Sequence, residues 1–263
     1  MKYALVTGAS SGIGFQYAQA LARRGYNILV VSNRKEDNET VAAQIAADYK
    51  VDAVPFYSDL SKSTAAQEIY DFCQEKGYEV EILLSNAGIL HFGKLIHADA
   101  GKTDAIIAIH CSTPVQLCRL FGADMCKKGK GHILIMSSLT AWTPYPTMSL
   151  YGATKVFLKN FGQSIWYEMR EYGVSVTTVF PSAVDTPFYK LEDKIRHRLL
   201  KLGMMISPQK LADGALNAMF KNKRRYIPGF WTRLEIGLCS IVPTWLFVQI
   251  IKLPAIRRIL EKL

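Results

Sequence analysis

Tyr151 and Lys155 stand four residues apart in a stretch with helical patterning, so their side chains share one face. A phenol titrates near pH ~10 and exchanges protons poorly at neutrality. An ammonium about 4 Å away, at an effective dielectric of ~20, stabilises the phenolate by roughly 4 kcal/mol. That is worth about three pKa units before desolvation opposes it, which makes the phenol a general acid matched to neutral pH. Ser138 ends the apolar run 132–137, and its hydroxyl can hydrogen-bond a substrate oxygen there. Near the N-terminus, Thr7-Gly8-Ala9-Ser10-Ser11-Gly12-Ile13-Gly14 follows the apolar run 3–6 and opens a helix-like stretch over 13–24. Glycines at 8, 12 and 14 allow a tight turn and close backbone approach to a pyrophosphate, which the first N–H groups of the helix then hold. In this order the three groups describe a dinucleotide cradle followed by a proton-transfer site for reducing or oxidising a carbonyl.

The cofactor type is read at the end of the second strand. An NAD site places a carboxylate there for the ribose 2′-hydroxyl. Here the stretch runs Val30-Val31-Ser32-Asn33-Arg34-Lys35, with no acid before Glu36. Arg34 has the planar fork suited to a 2′-phosphate, with Ser32 and Asn33 as further donors, so NADP(H) is favoured over NAD(H). The alternative for Arg34 is an ordinary solvated loop cation. Asp59, followed by Leu60 just after the third strand, is positioned to receive the adenine amino group, or else to cap the helix starting near 61–63.

Elements that would hold these residues alternate along the chain. Strand patterns fall at 3–7, 28–32, 53–57, 82–85, 132–137 and 175–180, with helix patterns near 13–24, 39–49, 63–76, 103–127 and 151–172. Continuous apolar strands imply burial on both faces, hence a parallel sheet with helices on either side. Right-handed crossovers make this an α/β, Rossmann-type doubly wound sheet, with ligands at the C-terminal strand ends. The expected organisation is one catalytic domain over 1–230, with a lid at about 187–206 and a hydrophobic helical tail over 231–263.

Size and composition agree. The 263 residues suit one large domain, and 49% hydrophobic with 21% charged residues is a globular balance. The five cysteines at 73, 111, 118, 126 and 239 form no CxxC pair and no ligand-spaced His cluster, so reduced thiols in the cytoplasm and no metal site are expected. A first strand beginning by Tyr3 leaves no room for a signal peptide. The net charge of +10 is uneven: from Lys221 onward nine Lys/Arg oppose only Glu235 and Glu261. Those cations interleave with Ile, Leu, Trp and Phe, a pattern that fits an anionic membrane surface and not nucleic acid.

The ordered set resembles the short-chain dehydrogenase/reductase family over about residues 1–230. It comprises the Gly turn, Ser85-Asn86-Ala87-Gly88, Ser138, Tyr151 with Lys155, and Pro181-Ser182-Ala183-Val184-Asp185-Thr186. The resemblance implies that Asn86, Ala87 and Gly88 support the sheet beside the cofactor. It likewise implies that Pro181, Val184 and Thr186 lie on the nicotinamide, with Tyr151 and Lys155 contacting cofactor as well as substrate. Ser182 stands where the family usually has Gly. The family's catalytic Asn, which holds a relay water behind the Lys, falls within 107–112, and alignment puts His110 there. An imidazole can hold a water and shuttle protons near neutrality; a satisfied core histidine is the equal alternative. Pairing into homodimers or homotetramers through the helices at 103–127 and 151–172 is also implied.

After Thr186, Phe188, Leu191, Ile195, Leu199 and Leu202 form a one-sided stripe beside five cations, followed by Met204-Met205-Ile206 as adaptable apolar pocket wall. Merely packing on the core is the other reading. The uncharged run 236–251 is too short for the ~20 residues of a span, and Pro243 interrupts it. With a basic amphipathic pattern over 253–263, it reads as a dip into one leaflet, Trp231 and Trp245 near the headgroups, on the cytoplasmic face. A dimer interface or a cap on the fold competes with that reading. The overall pattern is similar to reductases of long-chain 3-oxo lipids, including 3-oxoacyl thioester, 17β-hydroxysteroid-type and 3-ketosphinganine reductases. NADPH-dependent reduction of a long-chain 3-keto lipid, 3-ketosphinganine foremost, is therefore expected. A soluble ketone, a sterol or a 3-oxoacyl thioester is the alternative within the chemistry, and a catalytically lost NADP-binding scaffold the alternative outside it.

Overall fold

Alternate residues of the central strands point into opposite layers, and both layers are apolar. Ala4 and Val6 of β1 (Lys2–Thr7) face one helical layer while Leu5 faces the other, all fully buried. The structure, a computed structural model, describes residues 2–186 and 193–241. Seven parallel strands lie in the order β3-β2-β1-β4-β5-β6-β9. They are β2 (Asn27–Ser32), β3 (Ala53–Tyr57), β4 (Glu79–Ser85), β5 (Gly131–Met136), β6 (Val174–Val179) and β9 (Arg225–Tyr226) around β1. One layer holds α1 (Gly12–Ala22), α2 (Lys35–Tyr49) and α8 (Pro208–Phe220). The other holds α3 (Ala65–Glu75), α5 (Thr113–Lys128) and α6 (Ser149–Arg170). The strand order reverses beside β1, so the crevice between β1 and β4 is the switch point where such sheets take ligands. Both rims are blunt: β3 carries Pro55, and β9 is two residues long.

The doubly wound sheet expected from the strand patterns is present, with differences that have local causes. The helix expected over 103–127 starts earlier, at α4 (Ala100–Ile107), because Asp99 caps it by accepting from the Lys102 N–H at 2.9 Å. Between α4 and α5 the chain winds as a π-turn, Ala108–Ser112. By length and apolarity the continuous helix 100–128 could cross a membrane, yet Leu117, Cys118, Phe121 and Met125 are in the core against the sheet. Helix α8 has no counterpart in the sequence reading. Its buried face is Leu211, Ala212, Ala215, Leu216 and Met219, with Ser207 as N-cap and Pro208 in the first turn. The alanines that let it lie close on α1 weaken its hydrophobic signal. A two-stranded ribbon, β7 (Ala183–Val184) with β8 (Met205–Ile206), was also invisible, two residues being too few for a pattern.

One side chain sews the switch point shut. Thr7 Oγ1 donates to the Leu84 carbonyl at 3.2 Å and accepts from the N–H groups of Asn86 and Ala87, each at 3.0 Å. Asn86 Nδ2 returns a bond to the Thr7 carbonyl at 3.0 Å. Thr7→Val keeps the shape but strands two half-buried donors, so stability should fall by about 1 to 2 kcal/mol. The check is urea unfolding, with a lower midpoint at unchanged slope.

Candidate active site

The Gly-rich turn leaves β1 with Gly8 at φ +70° and re-enters a helix through Gly12 at φ +56°. Both values lie where side chains are strained. At Gly14 the reason is space: a Cβ there would stand 2.0 Å from the Gly8 carbonyl oxygen. Ser10 and Ile13 are half-buried along the turn, and Ser11 is exposed. As N-cap of α1, Ser11 makes no side-chain hydrogen bond to the helix. The cradle is therefore bare backbone at a positive helix end, a donor set that fits a dinucleotide pyrophosphate.

At the end of β2 the three expected phosphate donors separate. Ser32 is buried, donates to Asn38 Oδ1 at 2.6 Å and accepts from the Arg34 N–H at 3.1 Å, so its hydroxyl is committed to the fold. Asn38, which the sequence reading passed over, also donates to the carbonyls of Ser32 and Phe56 and ties β2 to β3. Asn33 and Arg34 are exposed, and the Arg34 guanidinium meets Asp37 at 3.2 Å. Asp59 Oδ1 accepts from both the N–H and the hydroxyl of Ser61, at 3.0 and 2.7 Å, and these bonds hold its carboxyl below the ordinary range. It does not cap α3, which starts at Ala65. The Leu60 carbonyl accepts from Thr113 Oγ1 at 2.8 Å, fixing this loop to the start of α5.

The expected chemical residues converge at the C-terminal end of β5. Ser138 is buried directly after the strand, and its Oγ accepts from the Thr140 N–H at 3.2 Å. Lys155 is 4% exposed. Its Nζ donates to the Met136 carbonyl at 3.0 Å and lies over the Tyr151 ring, 5.3 Å from the centroid. Ser137 Oγ donates to the Lys155 carbonyl at 2.8 Å, so strand end and helix are bolted together. Burial pulls the Lys155 ammonium down to about 8, with Cys111 nearby opposing the shift. His110, in the π-turn, is 1% exposed and stands edge-on to the Tyr151 ring, centroids 5.6 Å apart. Its Nε2 lies 3.1 Å from the Ile89 nitrogen and its Nδ1 2.9 Å from Thr154 Oγ1. Gly88 makes room for it: a Cβ at 88 would be 2.9 Å from His110 Nε2.

The segment 181–186 runs from this site to the cradle. The buried Pro181 accepts from the Leu139 N–H at 2.9 Å through its carbonyl, Val184 pairs with Ile206, and a Cβ built on Gly12 would lie 3.7 Å from Thr186 Cγ2. Ser182, the departure from Gly, has a partner: Thr232 Oγ1 donates to its Oγ at 2.9 Å. Thr232 lies on α9 (Phe230–Ile241), whose Glu235 accepts from the Tyr145 hydroxyl at 2.7 Å. The segment beyond 230 thus begins as a helix joined to two loops of the site, a link that no local pattern signals. Helix α7 (Asp193–Lys201) is held by Arg196 to Asp185 at 2.9 Å. In the expected lid stripe Ile195 and Leu202 are exposed, whereas Phe188 and Leu191 lie outside the described residues, as do Pro243, Trp245 and the rest of 242–263. Among the described residues no group of three or more His, Cys, Asp or Glu is placed to hold a metal.

The profile of the short chain dehydrogenases matches residues 2–196, about three quarters of the chain. The chain belongs to the short-chain dehydrogenase family. It is 29% identical over 255 residues to the inactive hydroxysteroid dehydrogenase-like protein 1 of Homo sapiens, covering 94% of this chain and 74% of that one. To the very-long-chain 3-oxoacyl-CoA reductase of Homo sapiens it is 27% identical over 257 residues, covering 95% and 78%. A short-chain dehydrogenase from Sphingobium yanoikuyae, solved in complex with NADPH, superposes with a TM-score of 0.78 at 26% identity, covering 92% of this chain and 97% of that one. Membership makes the chain an oxidoreductase-type fold built around a nicotinamide dinucleotide.

The buried ammonium makes a testable mark on stability. Folded Lys155 titrates at about 8 against an ordinary 10.5, so between those values the unfolded chain binds more protons. Stability from this group therefore rises with pH across that window. Subtracting the pH–stability curve of Lys155→Met from that of the wild type should leave a difference climbing from about pH 8 to about pH 10.5. A flat difference would mean that the ammonium is not desolvated.

Proposed function

We propose that the chain is an NADPH-dependent ketoreductase acting on a long-chain, lipid-like 3-keto substrate, 3-ketosphinganine foremost. The observation that carries the chemistry is the Lys155 ammonium over the Tyr151 ring, fastened through Met136 and Ser137 to the C-terminal end of β5, where Ser138 follows. The nicotinamide, when bound, supplies the hydride to the carbonyl carbon. Ser138 hydrogen-bonds the substrate oxygen, and Tyr151 gives it the proton. Lys155 stabilises the phenolate left behind, which is why its charge has to stand beside the ring and away from water. Arg34 and Asn33 would meet the 2′-phosphate, with the Arg34–Asp37 pair opening to do so.

The lipid class rests on the substrate side. Exposed Phe230, Leu234 and Leu238 recur every four residues along α9, and Ile195, Leu202 and Met204 are exposed on and just after α7. The end of α7 meets α9, since a Cβ on Gly203 would lie 3.5 Å from Trp231 Cδ1. An apolar rim of this kind, continued by the uncharged run 236–251 and its following cations, suits an anionic membrane surface on the cytoplasmic side. The 3-oxoacyl-CoA reductase likeness supports the same class. Pairing of copies through α4–α5 and α6 is supported by exposed Ile107, Val156 and Phe157, the last stacked on Phe161. A relative named inactive favours asking whether catalysis is lost here; the trio Ser138, Tyr151 and Lys155 is intact and argues for turnover.

A panel of keto lipids, a 3-oxoacyl thioester and soluble ketones, followed by NADPH oxidation, tests the proposal. Tyr151→Phe should keep NADPH binding and lose about 10²- to 10⁴-fold in kcat. A wild type that binds NADPH and reduces no carbonyl would establish the scaffold reading instead. Arg34→Ala should narrow the preference for NADPH over NADH by about tenfold to a hundredfold, the worth of one charge-assisted bond. An unchanged ratio would remove Arg34 from the phosphate site.

A further inference from the structure

We propose that His110 is a positioning residue: a neutral imidazole wedged between the loop after β4 and the first turns of α6, it sets where the Tyr151 hydroxyl stands and relays no proton in the reaction. The inference rests on the reading of Tyr151 as proton donor. Its geometry stands apart from that reading.

The direction of every hydrogen bond around the ring is fixed by its partners. The Ile89 N–H can only donate, so Nε2, 3.1 Å away, presents its lone pair. The neutral ring then carries its hydrogen on Nδ1, which donates to Thr154 Oγ1 at 2.9 Å. The Thr154 hydroxyl passes its own hydrogen to the Tyr151 carbonyl at 2.8 Å. Ile89, His110, Thr154 and Tyr151 thus form one unidirectional chain from the loop after β4 to the backbone of the proton donor. An imidazolium would turn an N–H on Nε2 against the Ile89 N–H, two donors facing each other in a buried seat. Lys155 of α6 adds a nearby positive charge, and Cys111 in the π-turn and Tyr151 are the other titratable groups beside the site. Burial first and Lys155 second push the ring down to about 2.

A proton carrier needs a ring nitrogen that can change partners. Both nitrogens of His110 are committed to protein atoms, and the residue is 1% exposed. What the ring can do is hold distance. Its edge lies against the Tyr151 ring, and the π-turn Ala108–Ser112 is where an added residue in the helix turns position 110 inward. The seat also depends on Gly88, where any Cβ would meet Nε2.

Two measurements test this. Long-range ¹H–¹⁵N spectra of the wild-type side chain should show one tautomer, protonated on Nδ1, from about pH 5 to about pH 8. An Nε2–H tautomer, or an imidazolium forming in that range, would overturn the proposal whatever the enzyme turns over. In kinetics, His110→Leu and Thr154→Val should each lower kcat by about 10- to 100-fold, with NADPH affinity within about twofold of wild type. The double variant should fall no more than about twofold below the poorer single, since the two residues act in one chain. His110→Gln, which offers one acceptor and one donor, should recover most of kcat with the wild-type pH profile. Additive losses, wild-type rates in both single variants, or a limb of the pH profile lost in His110→Gln would each overturn it. If instead Tyr151→Phe turned over as the wild type does, the proton-donor reading would fail while the spectra still judged the imidazole.

Discussion

An ammonium held out of water at the end of β5 is the constraint around which the rest of the molecule is arranged. Lys155 loses hydration on burial and recovers a hydrogen bond to the Met136 carbonyl, together with the face of the Tyr151 ring. Such a group stays in place only if its surroundings cannot relax to let water in. Hence the redundancy of the fastenings: Ser137 to the Lys155 backbone, Leu139 to Pro181, Lys159 to the Ala141 carbonyl with its Nζ over Trp142. The strands β5, buried except at half-buried His132, and β6, buried throughout, supply rigidity behind them that a loop-borne site would lack. Position, not an unusual side chain, makes ordinary phenol and ammonium groups fit for chemistry.

The fold was legible because its signals are repeated. Six apolar runs, the first five each followed by a helical pattern, leave little besides a parallel sheet, and the Gly turn after the first run fixes the direction of reading. Ser138, Tyr151 and Lys155 were legible for a related reason: a strand end and an i,i+4 pair are local features whose convergence the doubly wound topology guarantees. What stayed hidden was which polar side chains pair, near or far along the chain. Nothing in the sequence near Ser32 says that its hydroxyl is taken by Asn38, or near Ser182 that Thr232 will meet it fifty positions later. His110 is the clearest case, since nothing local tells that its two ring nitrogens meet the Ile89 nitrogen and Thr154 Oγ1.

The substrate side has a different physical character from the cofactor side. Around the Gly turn, backbone groups and short polar side chains are interlocked by bonds near 3 Å. Around α7 and α9 the ties described join side chain to side chain: Arg196 to Asp185, Thr232 to Ser182, Tyr145 to Glu235. Single polar bolts under an apolar outer surface hold each helix to the site loops.

The rims of the sheet carry one more consequence. Pro55 removes a backbone donor from the outermost strand on one side, and β9 offers two residues on the other. Both margins are poor templates for a further strand, which guards the sheet against edge-to-edge aggregation. Assembly of copies by continuous sheet extension is disfavoured by the same device.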